Sequence, residues 1–584
     1  MNITKLNGIH LYHAFVSGAK RLINEKIFLN KINVFPVPDG DTGSNMASLM
    51  QRIVTDARGY EHIGKTMESI SNAAIAGSRG NSGIIFSEYL NGVYEGVREL
   101  ETADVSQFHQ AVLNGIKKAY DAIFNPVEGT ILTVFRKAFH INVHVNDFSD
   151  YFALAKVQAS KALKETPEEL EVLKVNKVVD AGANGLTLFL EGINYYFENG
   201  VEQEEKEGEH MNDELVNHED YQEVITERYC TEALLANVTV GPSELKALMK
   251  DEGTSLVVSG RKEKMRIHIH TNHPDEVMFK LREYGEIVEQ KVDDMIRQQQ
   301  ATSKNHPRVA IMTDTIADIP MDIADKYHIH LMPLYLIIDE VSYLDKLTIT
   351  TNTFYKMMDT GKSFSSSQPD KLTIERNLNF LMQNYDQVIV ITVASKLSGT
   401  FNAISQFAKN NPQVIVVDSK QNSGAQGLVV IEAAKMAFEG KSAEEIVEFI
   451  PSLAARTKIF VSVKTLKYMV RQGRVSKVTG IIGKIMNLKP VIGLGKDGSG
   501  IIAAKSFSLG GNVREIIKFV KKAPVVNYII VHSLDEKRAL KLAAKVEAIT
   551  GKKPDFIEMI SPIVSMNAGI GAVAIALTYE KEID

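Results

Sequence analysis

Between residue 7 and about residue 197, apolar side chains recur at intervals of three and four, as at Leu11, Phe15, Ala19, Leu22 and Ile23. That spacing places them on one face of a helix, so the region is predicted helical. Runs of the same period cover 66–76, 82–100, 105–123, 149–163 and 182–196. About eight helices joined by short loops predict an all-α eight-helix bundle or barrel over 1–200.

The pattern then changes. Residues 202–220 hold nine acidic residues against a single lysine, Lys206, so 201–220 reads as a linker with too little apolar surface to fold alone. Over 221–300 strand-like pieces (YCTEALLANVTV, SLVVSG, MRIHIHTN) alternate with helical ones (PSELKALMK, DEVMFKLREYG), predicting a small α/β or α+β domain. A shorter linker follows over 301–307. From 308 to 584, continuous apolar strands such as VAIMTD, QVIVITVAS and QVIVVDS are separated by helices. Such strands predict a parallel sheet covered on both faces, in two lobes over 309–411 and 414–584. The fold class is therefore multidomain: all-α, then small α/β, then two-lobed α/β.

Composition limits the functions open to this chain. Its 584 residues exceed one hydrophobic core, and 44% hydrophobic with 24% charged residues is ordinary for a globular protein. A net charge of −6 gives no field to recruit nucleic acid or an anionic membrane. One cysteine, Cys230, cannot form an internal disulfide. The N-terminus (MNITKLNGIH) lacks a basic region followed by an apolar core, so no signal peptide is expected. The most apolar stretch, 560–579, is broken by Ser561, Pro562, Ser565 and Asn567, which suits a buried strand and turn better than a spanning helix. A cytoplasmic protein without an integral membrane segment is the expectation.

Candidate chemistry concentrates in glycine loops between helices. In VFPVPDGDTGSNM (34–46) two prolines stiffen the approach, Gly40 and Gly43 allow tight turns, and Asp39 and Asp41 stand two apart. Carboxylates so placed suit a hard divalent cation that keeps water and phosphate ligands. Ser44 and Asn45 then begin a helix whose free amides can meet phosphate, although the aspartates could equally cap that helix. AGSRGNSG (76–83) is a second such loop, able to form an amide nest for phosphates or to act only as a turn. NPVEGT (125–130) and DAGANG (180–185) occupy similar junctions, and four polar glycine loops are hard to attribute to packing alone. In the middle region, strand alternation puts His268 and His270 on one face. With Cys230 they would supply three ligands for zinc, though an HxH pair alone is more often structural.

These loops resemble the nucleotide-binding L-subunit domain of dihydroxyacetone kinases, an eight-helix barrel holding magnesium and ATP at one end. There the pattern is close to DxxxxDxDxGxNM, whereas here the position five before Asp39 is Val34. INVFPVPDGDTGSNM with SRGNSG is instead similar to the bacterial fatty acid kinase A subunit, over roughly residues 1–300. The resemblance implies that Asp39 and Asp41 bind magnesium and act in catalysis. It also implies that Thr42, Gly43, Ser44 and Asn45, with Ser78, Arg79, Gly80, Asn81, Ser82 and Gly83, hold ATP phosphates. The YCTE and HIHTN segments resemble the middle domain of the same protein, where Cys230, His268 and His270 would bind a structural zinc.

In the C-terminal half, polar segments recur at strand ends: TDTIADIP (313–320), SSSQPD (365–370), SKLSGTF (395–401), RQGRVSK (471–477) and NLKPVIGLGKDG (487–498). Loops beyond the carboxyl ends of strands are where open α/β sheets bind ligands. Ser366, Ser367 and Ser398 could bind a carboxylate, or cap helices. Together these segments look like the DegV family, the fatty acid kinase B subunit, which encloses a fatty acid between two lobes. By that resemblance Ser366, Ser367, Ser398 and Gly399 fall on head-group positions and Arg474 on a GGR-type loop. The family's His-x-Gly-Pro-Gly is Asn567-Ala568-Gly569-Ile570-Gly571 here, and its Thr-Ser-Gln-Pro is Ser366-Ser367-Gln368-Pro369. Two other nucleotide-like motifs are set aside. Lys356 stands where a P-loop ending in Gly361-Lys362-Ser363 needs glycine, and 493–498 reads as a hairpin turn around Asp497-Gly498.

The expected function is a fused fatty acid kinase: Mg–ATP on the helical domain, a fatty acid carboxylate presented by the DegV-like domain, acyl phosphate as product. The short linker at 298–307 restricts reach, so a homodimer with transfer between protomers is expected, and a downstream acyl-phosphate acyltransferase is the further partner considered. The alternatives are a lipid-binding or sensing protein with a weak or regulatory kinase domain, and a dihydroxyacetone-type small-molecule kinase.

Overall fold

The computed structural model describes residues 3–35, 40–140, 145–204, 225–303, 305–358, 360, 362–472 and 489–583. Asp39, Arg474 and most of the acidic 201–220 segment lie outside the described residues. The chain divides into two compact units, Met1–Thr302 and Ser303–Asp584.

In the first unit, ten helices are described between Gly8 and Asn199. Eight have eight residues or more; the others, Lys26–Lys31 and Glu171–Asn176, have six each. Six residues make fewer than two turns, too few for a 3.6-residue repeat to show in the sequence. Gly8–Asn24 packs on Thr42–Asp56 and on Ala181–Asn199, and Gly80–Val97 packs on Ile63–Gly77 and Val105–Ala122. The last pair approaches closely because glycines meet: a β-carbon on Gly92 would lie 2.7 Å from the Gly115 Cα. Buried aromatics fill the interior, with Phe86 edge-on to Phe189 at 5.1 Å between ring centroids.

The same unit carries a four-stranded sheet of β1 (Tyr229–Ala236), β2 (Thr254–Arg261), β3 (Lys264–Thr271) and β4 (Glu286–Asp294), in the order β2-β3-β1-β4. All its pairings are antiparallel. One face is apolar: Ala233, Leu235, Ile267 and Ile269 are buried with Leu245 and Val277 from the helices Pro242–Met249 and Pro274–Leu281. The opposite face carries Cys230, Glu232, Arg266, His268, His270 and Lys291, brought side by side by the strand register. It packs on the helical region. Val257 joins the helical core, the Gly260 N–H donates to Glu88 Oε2 at 2.9 Å, and Arg266 donates to the Ala76 carbonyl at 3.0 Å.

The second unit begins with β5 (Val309–Asp314), β6 (His330–Met332), β7 (Tyr335–Ile338), β8 (Val341–Leu344), β9 (Phe364–Ser367), β10 (Gln387–Thr392) and β11 (Val414–Asp418). Of these, β11-β10-β5-β6 form a parallel sheet and β8-β7-β9 a small antiparallel one. A six-stranded sheet follows, built from β12 (Thr457–Ser462), β13 (Val491–Leu494), β14 (Gly500–Ala504), β15 (Val525–His532), β16 (Ile557–Met559) and β17 (Val573–Tyr579). Its order is β14-β13-β12-β17-β15-β16, and β15–β16 is its one parallel pairing among the described residues. The parallel expectation therefore holds for the first sheet and fails for this one. The continuous apolar runs of β15 and β17 report burial on both faces, which does not depend on strand direction.

The helix Ser423–Phe438 packs against β5 of one sheet and β12, β15 and β17 of the other. It is buried on nearly every side, as its SGAQGLVVIEAA sequence demands, because a helix apolar all round is stable only inside. Residues 495–499 turn between the antiparallel β13 and β14, with the Gly495 N–H donating to the Ser499 carbonyl, as the hairpin reading expects. Among the described residues, no helix is long and apolar enough to cross a membrane.

Candidate functional site

The first, second and fourth glycine loops of the helical region touch in turn, and the fourth also reaches Ile131, the residue after the third. Asp41 is the N-terminal cap of Thr42–Asp56 and accepts a hydrogen bond from the Asn45 side chain. Asn45 is buried against Gly80, where φ is +60°, and a β-carbon there would run into the Asn45 amide; only glycine fits. Ser82 of the second loop lies against Gly182 of the fourth. Asp180 caps Ala181–Asn199 through the Ala183 N–H at 2.7 Å and also accepts from the Ile131 N–H beside the third loop. Burial raises the Asp180 carboxyl to about 6.

The expected phosphate-binding residues divide on inspection. Ser44 is tied to Asn30, its N–H donating to Oδ1 and its hydroxyl accepting from Nδ2, both at 2.9 Å. Thr42 donates to Asn33, and Gly43 lets the Lys26 carbonyl approach. Ser78 ends the helix Ile63–Gly77, its hydroxyl donating to the Ile75 carbonyl at 3.1 Å. Arg79 pairs with Glu289 of β4 at 2.6 Å. Gly83 packs beside the Asn45 backbone, and the buried Asn81 Oδ1 has no partner. The Gly80 N–H donates at 2.6 Å to Glu232 Oε1 from β1.

Glu232 leads into a polar cluster on the inner face of the sheet. Its Oε1 lies 3.2 Å from His268 Nδ1, which lies 3.7 Å from Cys230 Sγ. The ligand atoms of Cys230, His268 and His270 all fall within 4.8 Å of one another, and all three side chains are buried. Burial holds His270 neutral, with its pKa near 3, and pushes the Cys230 thiol up. On β4, Lys291 Nζ is 2.6 Å from Asp293 and 3.8 Å from Asp41. Burial opposes the Lys291 charge, but Asp293, Glu232 and Asp41 outweigh it and keep the ammonium protonated. Burial also raises Asp41, while Lys291 draws it down. For Glu232, burial is overcome by Lys291 and His268, which hold its carboxyl far below the usual range.

Glu232, Lys291 and Asp293 are functional candidates that sequence reasoning misses. For Lys291 and Asp293 the signal is the alternation itself, since charged residues at every second position of 289–293 mark one polar face of a strand; Glu232 stands two after Cys230 on β1 and so shares its face.

In the second unit a cavity of about 450 Å³ brings together Ser366, Ser367, Ser398 and Gly399, with Asn422 and Asn567. Its walls are apolar, including Ile316, Leu334, Leu397, Ile492 and Ile563. Ser398 lines the cavity and sits just before Gly399, the N-terminal cap of Thr400–Ala408; its hydroxyl shares a 2.8 Å hydrogen bond with the Thr400 hydroxyl and accepts from the Thr400 N–H at 3.3 Å. The buried Oδ1 atoms of Asn422 and Asn567 have no hydrogen-bond partner. A smaller space of about 60 Å³ shares Asn422, Met469, Val564 and Asn567 and continues to Val531 and Ala574. Behind the cavity lie buried carboxylates. Asp314 accepts from the Val393 N–H at 2.8 Å, Asp345 from the Ile563 N–H at 3.3 Å, and Asp318 pairs with Lys346 at 3.0 Å. Burial raises Asp314 to about 6 and Asp345 to about 7.

Comparison with known proteins finds matches to three stretches of the chain. Residues 36–195 match the DAK2 domain, 226–302 the middle domain of proteins like the fatty acid kinase A subunit, and 308–580 the DegV family. The chain combines all three. An uncharacterised protein of Staphylococcus epidermidis is 33% identical over 319 residues, 51% of this chain and 56% of that one. One from Staphylococcus aureus is 32% identical over 342 residues, 55% of this chain and 62% of the relative. The match thus spans little more than half the length of these curated relatives. Among solved structures, a fatty acid binding DegV family protein from Streptococcus agalactiae is 26% identical, with a TM-score of 0.43. It is covered fully by 47% of this chain. The fatty acid binding DegV protein of Bacillus subtilis is 22% identical, with a TM-score of 0.44 over the same shares. In this chain, then, the ring of glycine loops lies in the DAK2 region, the Cys/His/His cluster in the middle region and the serine cavity in the DegV region.

Proposed function

We propose that this chain transfers the γ-phosphoryl group of ATP to a fatty acid carboxylate, producing acyl phosphate. The observation that carries the reading is one chain holding both a carboxylate-headed ring of glycine loops in a DAK2 region and a serine-lined apolar cavity in a DegV region. Asp41, with Asp39 beside it in sequence, would hold magnesium, and Asn81, Ser82 and Gly83 would meet phosphate. Asp180 stiffens the neighbouring loops by accepting from their amides. Bound magnesium would neutralise phosphate charge. A fatty acid carboxylate is already ionised at neutral pH, so no side chain has to act as general base.

The buried thiol and two imidazoles fit one zinc ion. The three donor atoms are close, His270 is neutral, and His268 Nε2 is buried without a partner. Zinc there would pin β1 to β3 behind Glu232, a structural role. In the DegV region, Ser366, Ser367, Ser398 and the Gly399 backbone would take the carboxylate, and the apolar walls the acyl chain. The reaction belongs in the cytoplasm, where its phosphoryl donor is made and held.

Purified chain with Mg–ATP and palmitate or oleate, treated with hydroxylamine, should yield the fatty acyl hydroxamate. Intact fatty acid binding without hydroxamate would overturn the reading. It would support instead a lipid-binding protein with a weak or regulatory kinase region, which one observation favours. Asn567, which by resemblance falls where the DegV family often has a histidine, lines the cavity and presents an amide there.

A further inference from the structure

We propose that Lys291, contributed by the middle region, is the cation that meets the phosphoryl group in transfer. The inference rests on the kinase reading of the same site. Lys291 lies on β4, directly across from Glu232 on β1, and its side chain is only 3% exposed. Burying an ammonium costs several kcal/mol unless it is paired, and Asp293 at 2.6 Å supplies the pair. Asp41 stands at 3.8 Å, an electrostatic distance beyond a hydrogen bond. The ammonium is therefore anchored by its own strand and aimed at the carboxylate that heads the helical region's loop ring.

A role as counterion alone does not account for this arrangement. Asp41, Asp293 and Glu232 all act on the one ammonium, the guanidinium of Arg266 also acts on Glu232, and only Asp293 pairs closely with Lys291, which leaves its charge shared toward Asp41. The sheet's own core lies on its opposite face, so Lys291 is not needed for that packing. Glu232 meanwhile receives the Gly80 N–H, which ties this face of the sheet to the second glycine loop. Lys291 and the Gly80 amide, the latter through Glu232, thus come to neighbouring places on this face from two different regions of the chain.

In the transfer step a fatty acid carboxylate oxygen bonds to the γ-phosphorus while the bond to the β–γ bridging oxygen breaks. The electron pair leaves with ADP, and no proton moves. Negative charge spreads over the equatorial oxygens, where a fixed ammonium in a water-poor site stabilises the transition state more than the ground state.

The test compares wild type, Lys291→Met, Lys291→Arg and Lys291→Met/Asp293→Asn, all as full chains. The double variant removes one of the carboxylates that the single variant leaves uncompensated, and melting curves verify that each folds. Affinity is measured for Mg·ADP alone and for Mg·ADP with aluminium fluoride, a mimic of the phosphoryl group in flight. The wild type should gain affinity with the fluoride. Both Met variants should lose that gain by about 100-fold, the scale of one transition-state donor, while Mg·ADP binding changes little. Lys291→Arg should recover part of it. A Met variant that folds and keeps the full gain overturns the proposal, as does a wild type that gains nothing. Hydroxylamine trapping of the wild type judges the kinase reading separately, so an error in the acceptor and an error in Lys291 give different results.

Discussion

The two candidate sites solve opposite electrostatic problems. In the first unit, Asp41, Glu232, Asp293 and Lys291 crowd together with two histidines and a thiol, and side chains come from both the helices and the sheet. In the second unit the cavity is lined by hydroxyls, amides and aliphatic side chains, and its carboxylates lie behind the wall. A site for a metal and a polyanion needs fixed charge held in place against repulsion. A site for a single carboxylate on an apolar chain needs hydrogen-bond donors and a dry wall. On the proposed function the contrast would separate the region that acts on phosphate from the one that carries lipid, and substitutions can break that separation.

The largest expected effect is that of Asp41→Ala. Acyl hydroxamate formation should fall by about 100-fold or more, the scale of losing an electrostatic stabiliser of phosphoryl transfer. Displacement of a fluorescent fatty acid should be unchanged. If lipid affinity falls as well, the two sites are not independent and the comparison fails. Cys230→Ser should reduce bound zinc, measured by mass spectrometry of the purified chain, from one equivalent to a small fraction. Unchanged zinc content would remove the metal from the Cys/His/His cluster.

Gly80→Ala places a β-carbon against Asn45 at a φ of +60°. A destabilisation of about 1–3 kcal/mol in urea unfolding is expected from that strain. It should be accompanied by weaker Mg·ADP binding, because the Asn45–Gly80 contact joins two loops. Ser398→Ala acts on the other region. Losing one hydroxyl donor should weaken fatty acid binding by roughly fivefold, about 1 kcal/mol, with Mg·ADP affinity untouched.

Local chemistry was legible in the sequence and long-range assembly was not. The glycine loops announce themselves because Gly, Asn and Asp in short polar runs have local meanings. Their convergence depends on Asn45 reaching Gly80 and Asp180 reaching Ile131, contacts between residues tens of positions apart. His268 and His270 were readable from alternation, and Cys230 joined them through the β1–β3 register. Lys291 and Asp293 obey the same alternation, yet on a strand read alone a charged residue at every second position looks like a solvated edge. Only the packing of that face on the helices makes it interior. Ser366 lies within the antiparallel strand β9 and Ser398 in the loop after the parallel strand β10, and the two meet in one cavity only through the fold of the whole region. The direction of the C-terminal strands was hidden for a different reason: burial on both faces writes the same apolar run into parallel and antiparallel strands.

The smallest predicted effect is a pH dependence that sharpens the comparison. Behind the serine cavity, burial raises Asp345 to about 7 and Asp314 to about 6, both above the ordinary aspartate value. A carboxyl whose pKa is raised by folding binds protons more tightly when folded. Its contribution therefore favours the fold at low pH and is lost as pH rises through the folded value. Glu232 and Glu289 of the first unit are shifted the other way, so their contributions are present at neutral pH and lost on acidification. Between about pH 8 and about pH 6 the second unit should gain stability as protons bind Asp345 and Asp314; in the first unit the lowered carboxyls remain ionised, and the slope there comes from Glu88 and Asp180, which burial raises to about 7 and about 6. Asp345→Asn should flatten the urea-midpoint slope of the second unit, because the amide is neutral throughout. An unchanged slope would mean that Asp345 is not the titrating group, and that the wall behind the cavity is already ionised and solvated near neutrality.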